Sequence, residues 1–295
     1  MSLFGNYNTP GRGVLKAPQE KKGIFKFFEV YGRHMWKLME LNLLYFVFCI
    51  PLTLMVILML MTSNPIWLLL AIPSVLVGPA TAAMTKVCRN YSQERNAFLL
   101  HDFWDSFKKN FKQSVFIGIV DVIMIVSVWI ACFQFLMNES LPDGSLVFIC
   151  IMICCATLVF IMHFYIYLEI VALNLSIGSI LKNAVFLVFL GVKRNFIALI
   201  INLAIISLIV LFLPFSVFAV IFLPLSLMCF TTTFICYPVI QKYIVNPYYE
   251  ERGERNPELG PITEEDIAEN AVFVDRGGSE KEIKATPKAH GKVIK

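Results

Sequence analysis

The chain has 295 residues, of which 58% are hydrophobic, 14% aromatic and only 16% charged, with a formal net charge of +4 and a mean hydropathy of +0.71. Soluble domains carry about 25% charged and about 45–50% apolar residues, so charge here is too sparse to clothe a soluble surface. A soluble enzyme, a disordered protein and a disulfide-stapled secreted domain are disfavoured; an all-α polytopic membrane protein remains.

Residues 1–22 read as a flexible cytoplasmic N-terminus. Forty-two residues precede the first apolar run, too many for an ordinary signal peptide, and that run is of spanning length, so it reads as a retained anchor. A hydrocarbon core of about 30 Å, at about 1.5 Å per residue, demands about 20 apolar residues per crossing. Six stretches qualify: 43–61, 66–84, 115–137, 146–168, 196–213 and 215–240. Pro51 lies in the first, Pro73 and the Gly78-Pro79 pair in the second, Pro224 and Pro238 in the sixth. Interior prolines free backbone carbonyls, so these spans are expected to kink and to pack against neighbours that satisfy the loosened groups. The sixth reads as one kinked span rather than two half-spans.

Seven Lys and Arg residues precede the first span, six lie between spans two and three, three between spans four and five, and nine follow from Lys242 onward, which is the whole complement of 25. The loops on the other side hold none. Lys and Arg concentrate in cytoplasmic loops, so both termini are expected in the cytoplasm. A four-span or seven-span reading would scatter basic clusters over both sides. The positive balance sits at membrane-proximal positions, where anionic headgroups account for it, and no nucleic-acid partner is implied. The eight cysteines show no C-x-x-C or Cys/His metal spacing and read as small buried hydrophobes.

The cytoplasmic segments share a pattern. Lys108-Lys109-Asn110-Phe111 and Lys193-Arg194-Asn195-Phe196 stand 85 residues apart, and each opens a spanning hairpin. Ahead of the first lie Phe98, Phe103, Trp104 and Phe107 at helical spacing. Ahead of the second lie Ile177, Ile180, Leu181, Val185, Phe186 and Phe189. A third instance, Ile24, Phe27, Phe28, Tyr31, Met35, Trp36 and Met39, precedes the first hairpin. Such spacing with interleaved cations marks amphipathic helices at the headgroup boundary. The expected architecture is three hairpins, each led by an amphipathic interfacial or cytoplasmic helix, in a membrane domain of residues 23–243. Ordinary basic-aromatic interface anchors would produce a similar spacing. Residues 244–295 are charged and punctuated by Pro and Gly; Thr263 would cap a short helix through Glu269, and most of the rest reads as disordered.

Ionisable groups inside spans are costly and mark candidate sites. Asp121 and His163 fall at similar depth on neighbouring antiparallel spans, with Glu169 at the cytoplasmic end of the fourth. An Asp121–His163 contact would stabilise the imidazolium and offer a proton relay; local hydrogen bonding in the bundle interior is the plainer reading. His34, His101 and His290 read as solvated. No H-E-x-x-H, G-x-S-x-G, Walker A or G-x-G-x-x-G motif occurs, so no enzyme, cofactor or metal is expected.

The run Gly78-Pro79-Ala80-Thr81-Ala82-Ala83-Met84, then Asp102-Phe103-Trp104 and Phe107-Lys108-Lys109-Asn110-Phe111-Lys112-Gln113, resembles the YesL-like family of bacterial integral membrane proteins. Leu41-Asn42-Leu43-Leu44 and Leu181-Lys182-Asn183-Ala184 are similar to it too, so the resemblance covers roughly residues 28–243. It implies a Gram-positive plasma-membrane protein whose genes neighbour those of carbohydrate ABC importers, and it transfers no site residues. Two functions are expected, the first leading and the second an alternative that rests on the intramembrane residues. One is a non-enzymatic accessory or scaffold for carbohydrate ABC import, with Trp104, Phe107, Lys108, Lys109 and Phe111 on a helix facing permease subunits. The other is a small-solute carrier using Asp121 and His163. Oligomeric state is not fixed by the sequence.

Overall fold

The computed structural model describes residues 23–62, 64–137, 145–213, 215–254 and 256–259. The expected helix at 263–269 and the loop 138–144 lie outside them. The described residues form helices and no strand. Six helical stretches are long and apolar enough to cross a membrane: Ile24–Thr62, Pro65–Ser92, Phe111–Val128, Cys150–Ala172, Val192–Leu211 and Pro224–Glu251.

Helix α1 (Ile24–Thr62) runs unbroken for 39 residues and takes Pro51 in its interior. The aromatic-basic segment expected as a separate helix before the first span is thus the N-terminal half of the same rod. No proline, and no glycine in a left-handed turn, lies between Ile24 and Leu43 to end it. The second apolar stretch is segmented instead: a tight 3-10 helix over Pro65–Leu70, then α2 (Ala71–Ser74), then α3 (Val77–Ser92). Asn64 caps its start by accepting from the Ile66 amide at 3.0 Å. Pro73 lacks an amide proton, and the chain turns at Val75-Leu76 before α3 begins.

Next come α4 (Leu99–Lys109), α5 (Phe111–Met137), α6 (Ser145–Ala172), α7 (Ile177–Leu190) and α8 (Val192–Leu211). The last apolar stretch is divided into α9 (Ser216–Phe222) and α10 (Pro224–Ile240), with Leu223 between them at φ −140°, ψ −48°. The interruption expected of the interior prolines in 215–240 falls here, with Pro224 the first residue of α10. The polar side chain of Asn42, on α1, sits at that break. Its amide donates to the carbonyls of Val220 (2.8 Å) and Ile221 (2.7 Å), and its Oδ1 accepts from the Ser226 amide (2.7 Å). Val220 is four residues before Pro224, so its carbonyl is one that the proline leaves without a helical partner. Helical structure then continues past Tyr243, through a π turn at Gln241–Val245, into α11 (Asn246–Glu251) and a short 3-10 turn at Pro257–Leu259.

Helix α3 is the hub, packing against α1, α4, α5, α6 and α10. Its buried residues include Gly78, Pro79, Ala80, Ala82 and Ala83, and this run of small side chains lets so many neighbours approach one helix. At the basic end of α3, buried Arg89 donates to the Val171 carbonyl at 3.2 Å and faces the Glu258 carboxylate at 3.6 Å. Glu258 also accepts from the Tyr237 hydroxyl (2.6 Å), Gln241 (3.1 Å) and Gln93 (3.3 Å), tying the 257–259 turn back onto the bundle.

Candidate functional site

The intramembrane polar group is assembled by α5 and α6. Gly118 on α5 meets Gly78 on α3 with no side chain between them, and Asp121 follows one helical turn later. His163 and Tyr167 project from successive turns of α6, four residues apart and so on one face. His163 Nε2 lies 2.5 Å from Asp121 Oδ1, and the Tyr167 hydroxyl donates to Asp121 Oδ2 at 2.7 Å. The other ring nitrogen, Nδ1, lies 2.8 Å from the Val159 carbonyl.

The chemistry of this group follows from its acceptors. A carbonyl only accepts, so Nδ1 carries a proton and donates to Val159. Nε2 faces a carboxyl oxygen, so one further proton lies between them: either imidazolium beside carboxylate, or neutral imidazole beside a carboxylic acid. In both forms the Asp121–His163 pair is neutral overall, which suits a partly buried ionisable pair among apolar helices. Removal of that shared proton leaves a net negative charge inside the bundle.

His163 and Tyr167 also line a cavity of about 310 Å3. Its wall gathers polar side chains from several helices, among them Tyr45, Thr81, Thr85, Asn202 and Thr232. Tyr45 and Thr81 hydroxyls are 2.9 Å apart, and the Asn202 amide donates to Thr232 at 3.0 Å. Sequence reasoning paired Asp121 with His163 and missed Tyr167; its i+4 spacing from His163 was the available signal. The cavity threonines carried no signal, because Thr within spans commonly bonds to its own helix, as Thr85 does to the Thr81 carbonyl.

Glu169 does not join this group. It is fully buried, accepts from the Asn183 amide of α7 at 3.3 Å, and its other oxygen has no partner among the described residues. The α4 side chains are divided. Phe103 is buried, and Trp104 and Phe107 pack on Phe48 of α1, with ring centroids 6.1 and 5.3 Å away. Lys108 and Lys109 are exposed, as is Phe111 at the start of α5. Phe98 and Leu100, at the start of α4, are more exposed than either Trp104 or Phe107. Among the described residues no three His, Cys, Asp or Glu side chains converge as a metal site.

With this geometry in place, the comparisons with known proteins add one family. Residues 38–132 match the family described as protein of unknown function, DUF624. The match runs from α1 into α5, so it includes the Gly78–Gly118 crossing and Asp121 but stops short of His163. No curated protein and no solved structure matches the chain.

Proposed function

We propose that this chain is a YesL-like protein of the bacterial plasma membrane and works without enzymatic chemistry as a small-solute carrier. Both termini are cytoplasmic in this reading, because every Lys and Arg falls on that side of the six apolar stretches. The spans form three hairpins, led by the N-terminal half of α1, by α4 and by α7. The observation that carries the functional reading is the Asp121–His163–Tyr167 network beside a mainly apolar cavity, whose wall carries His163, Tyr167 and a few hydroxyl and amide side chains. A buried ionisable pair in lipid is expensive and is kept where a proton or a polar solute must be handled. A volume of about 310 Å3 lies at the lower end of the roughly 300–1,000 Å3 usual for ligand sites, which suits a solute of monosaccharide size. The few threonine, tyrosine and asparagine groups on the wall would meet hydroxyls of such a solute, and the apolar remainder its C–H faces.

The test is uptake of labelled monosaccharides into proteoliposomes under an imposed pH gradient. Wild-type protein is expected to accumulate at least one sugar, and Asp121→Asn to abolish the dependence on the gradient. Equal uptake in protein-free vesicles, or gradient dependence untouched by Asp121→Asn, overturns the reading.

A second reading, an accessory of carbohydrate ABC import, is favoured by the exposure of Phe98 and Leu100 at the cationic end of the bundle. Two large apolar side chains on a helix start suit a permease surface. Here the expected result is co-purification of permease subunits from native membranes, lost in Phe98→Ser/Leu100→Ser. Trp104 and Phe107 are poorer probes, because their removal also strips the packing on Phe48.

A further inference from the structure

At the basic end of the bundle, Lys86 of α3, Lys108 and Lys109 of α4 and Lys112 of α5 line one cavity of about 560 Å3 together with residues 170–174. None of the four ammonium groups makes an ion pair or a side-chain hydrogen bond among the described residues. Three are exposed, but Lys86 is only partly so. A cation partly withdrawn from water is unfavourable, and Arg89, Lys109 and Arg95 add repulsion that Asp102 offsets only in part, so an added anion would stabilise the arrangement. A single carboxylate, Asp105, also stands in the wall. It would repel a bare phosphate, yet it accepts hydrogen bonds from hydroxyls.

We propose that this cavity binds a hydroxyl-bearing phosphate ester, its phosphate held by Lys86, Lys109 and Lys112 and its hydroxyl by Asp105. The walls come from the ends of apolar stretches, at the level where headgroups lie, and basic pockets between spans are established sites for anionic lipid. Two sources share the chemistry: the glycerol phosphate headgroup of phosphatidylglycerol, and a soluble sugar phosphate. The inference stands apart from the Asp121–His163 network, which opens on a different cavity.

The full-length protein would be placed in phosphatidylcholine nanodiscs with and without phosphatidylglycerol, and bound ligand counted by native mass spectrometry. Glucose 6-phosphate, added to the phosphatidylcholine-only discs, is the soluble probe. Retention of phosphatidylglycerol alone assigns the lipid source, and binding of glucose 6-phosphate assigns the soluble one. Lys86→Gln and Lys109→Gln are each expected to weaken retention roughly fivefold. Lys109→Arg should keep it, and Lys193→Gln, on α8 and outside the cavity, should leave it unchanged. Lys109 is exposed on α4, so its variant reports on binding even if Lys86→Gln fails to fold. Asp105→Asn should favour inorganic phosphate over the hydroxyl-bearing ester. The proposal is overturned if the wild type retains neither probe above phosphatidylcholine, or if Lys109→Gln retains as much as Lys193→Gln.

Discussion

Gly78 and Gly118 bring α3 and α5 into backbone contact: a Cβ on Gly78 would sit 2.9 Å from the Gly118 Cα, and one on Gly118 would sit 2.6 Å from the Val75 carbonyl. The atoms in the way are backbone, so neither helix yields by rotating a side chain. Gly78→Ala is therefore expected to lower stability by about 2 kcal/mol or more, as overpacking does, and to displace Asp121 one turn beyond the crossing. Thermal unfolding in detergent checks it. Gly32→Ala and Gly178→Ala, where nothing lies within 4 Å of the added carbon, are the controls and should be neutral or slightly stabilising.

Much of this arrangement was readable from composition and spacing. The six apolar stretches follow from hydropathy, and the common depth of Asp121 and His163 follows from counting residues along antiparallel helices. What escaped depends on partners distant in sequence. Pro51 and Pro224 look alike in the chain, yet α1 passes through the first and the second starts a new helix. The difference at Pro224 is Asn42, some 180 residues away, which takes the loosened carbonyls. Glu169 reads as a boundary acid until Asn183 of α7 is seen covering it. The small-residue run 78–83 was visible as a motif, but its reason is the set of helices packed on α3.

The Asp121–His163 pair should behave as one unit. In a double-mutant cycle with Asp121→Asn and His163→Gln, each single change removes one member of the proton-sharing pair and leaves the other behind, and the double change removes both members. The expected coupling energy is about 1–3 kcal/mol, read from denaturation midpoints in mixed micelles. Strictly additive effects would mean that the two side chains do not share a proton in the folded protein.

Glu258 should make stability depend on pH at the acid end. Burial alone would raise its pKa, but the Tyr237 hydroxyl, the Arg89 guanidinium and the Gln241 and Gln93 amides all favour the charged form, and the balance lies below the ordinary glutamate value. A folded-state pKa below the unfolded one gives stability that is present above about pH 4.3 and lost as pH falls through the folded value. Wild-type protein should therefore exceed Glu258→Ala in melting temperature at pH 7, and the gap should close progressively below about pH 4. At neutral pH the substitution is expected to cost about 3 kcal/mol, because buried Arg89 is left facing no carboxylate. A gap constant from pH 7 to pH 3 would rule out the carboxylate as its source.

Asn42 offers the sharpest test of how the break before Pro224 is held. Its side chain is fully buried and both ends of its amide are used, two donations to Val220 and Ile221 and one acceptance from Ser226. Asn42→Leu keeps the size and removes all three bonds, leaving two carbonyls and an amide unpaired where water is scarce; at roughly 1–3 kcal/mol per buried group, a loss of about 3 kcal/mol or more is expected. Asn42→Asp keeps the acceptor for Ser226 but sets a carboxylate against two carbonyl oxygens, so it should be no better. Asn42→Gln carries the right groups on a longer stem and should recover only part of the loss. The ranking of the three by thermal unfolding, with wild type most stable and Asn42→Gln next, follows from the hydrogen bonds alone. An Asn42→Leu variant as stable as wild type would mean that the carbonyls freed ahead of Pro224 find other donors, and that α9 and α10 do not need α1 to stay apart.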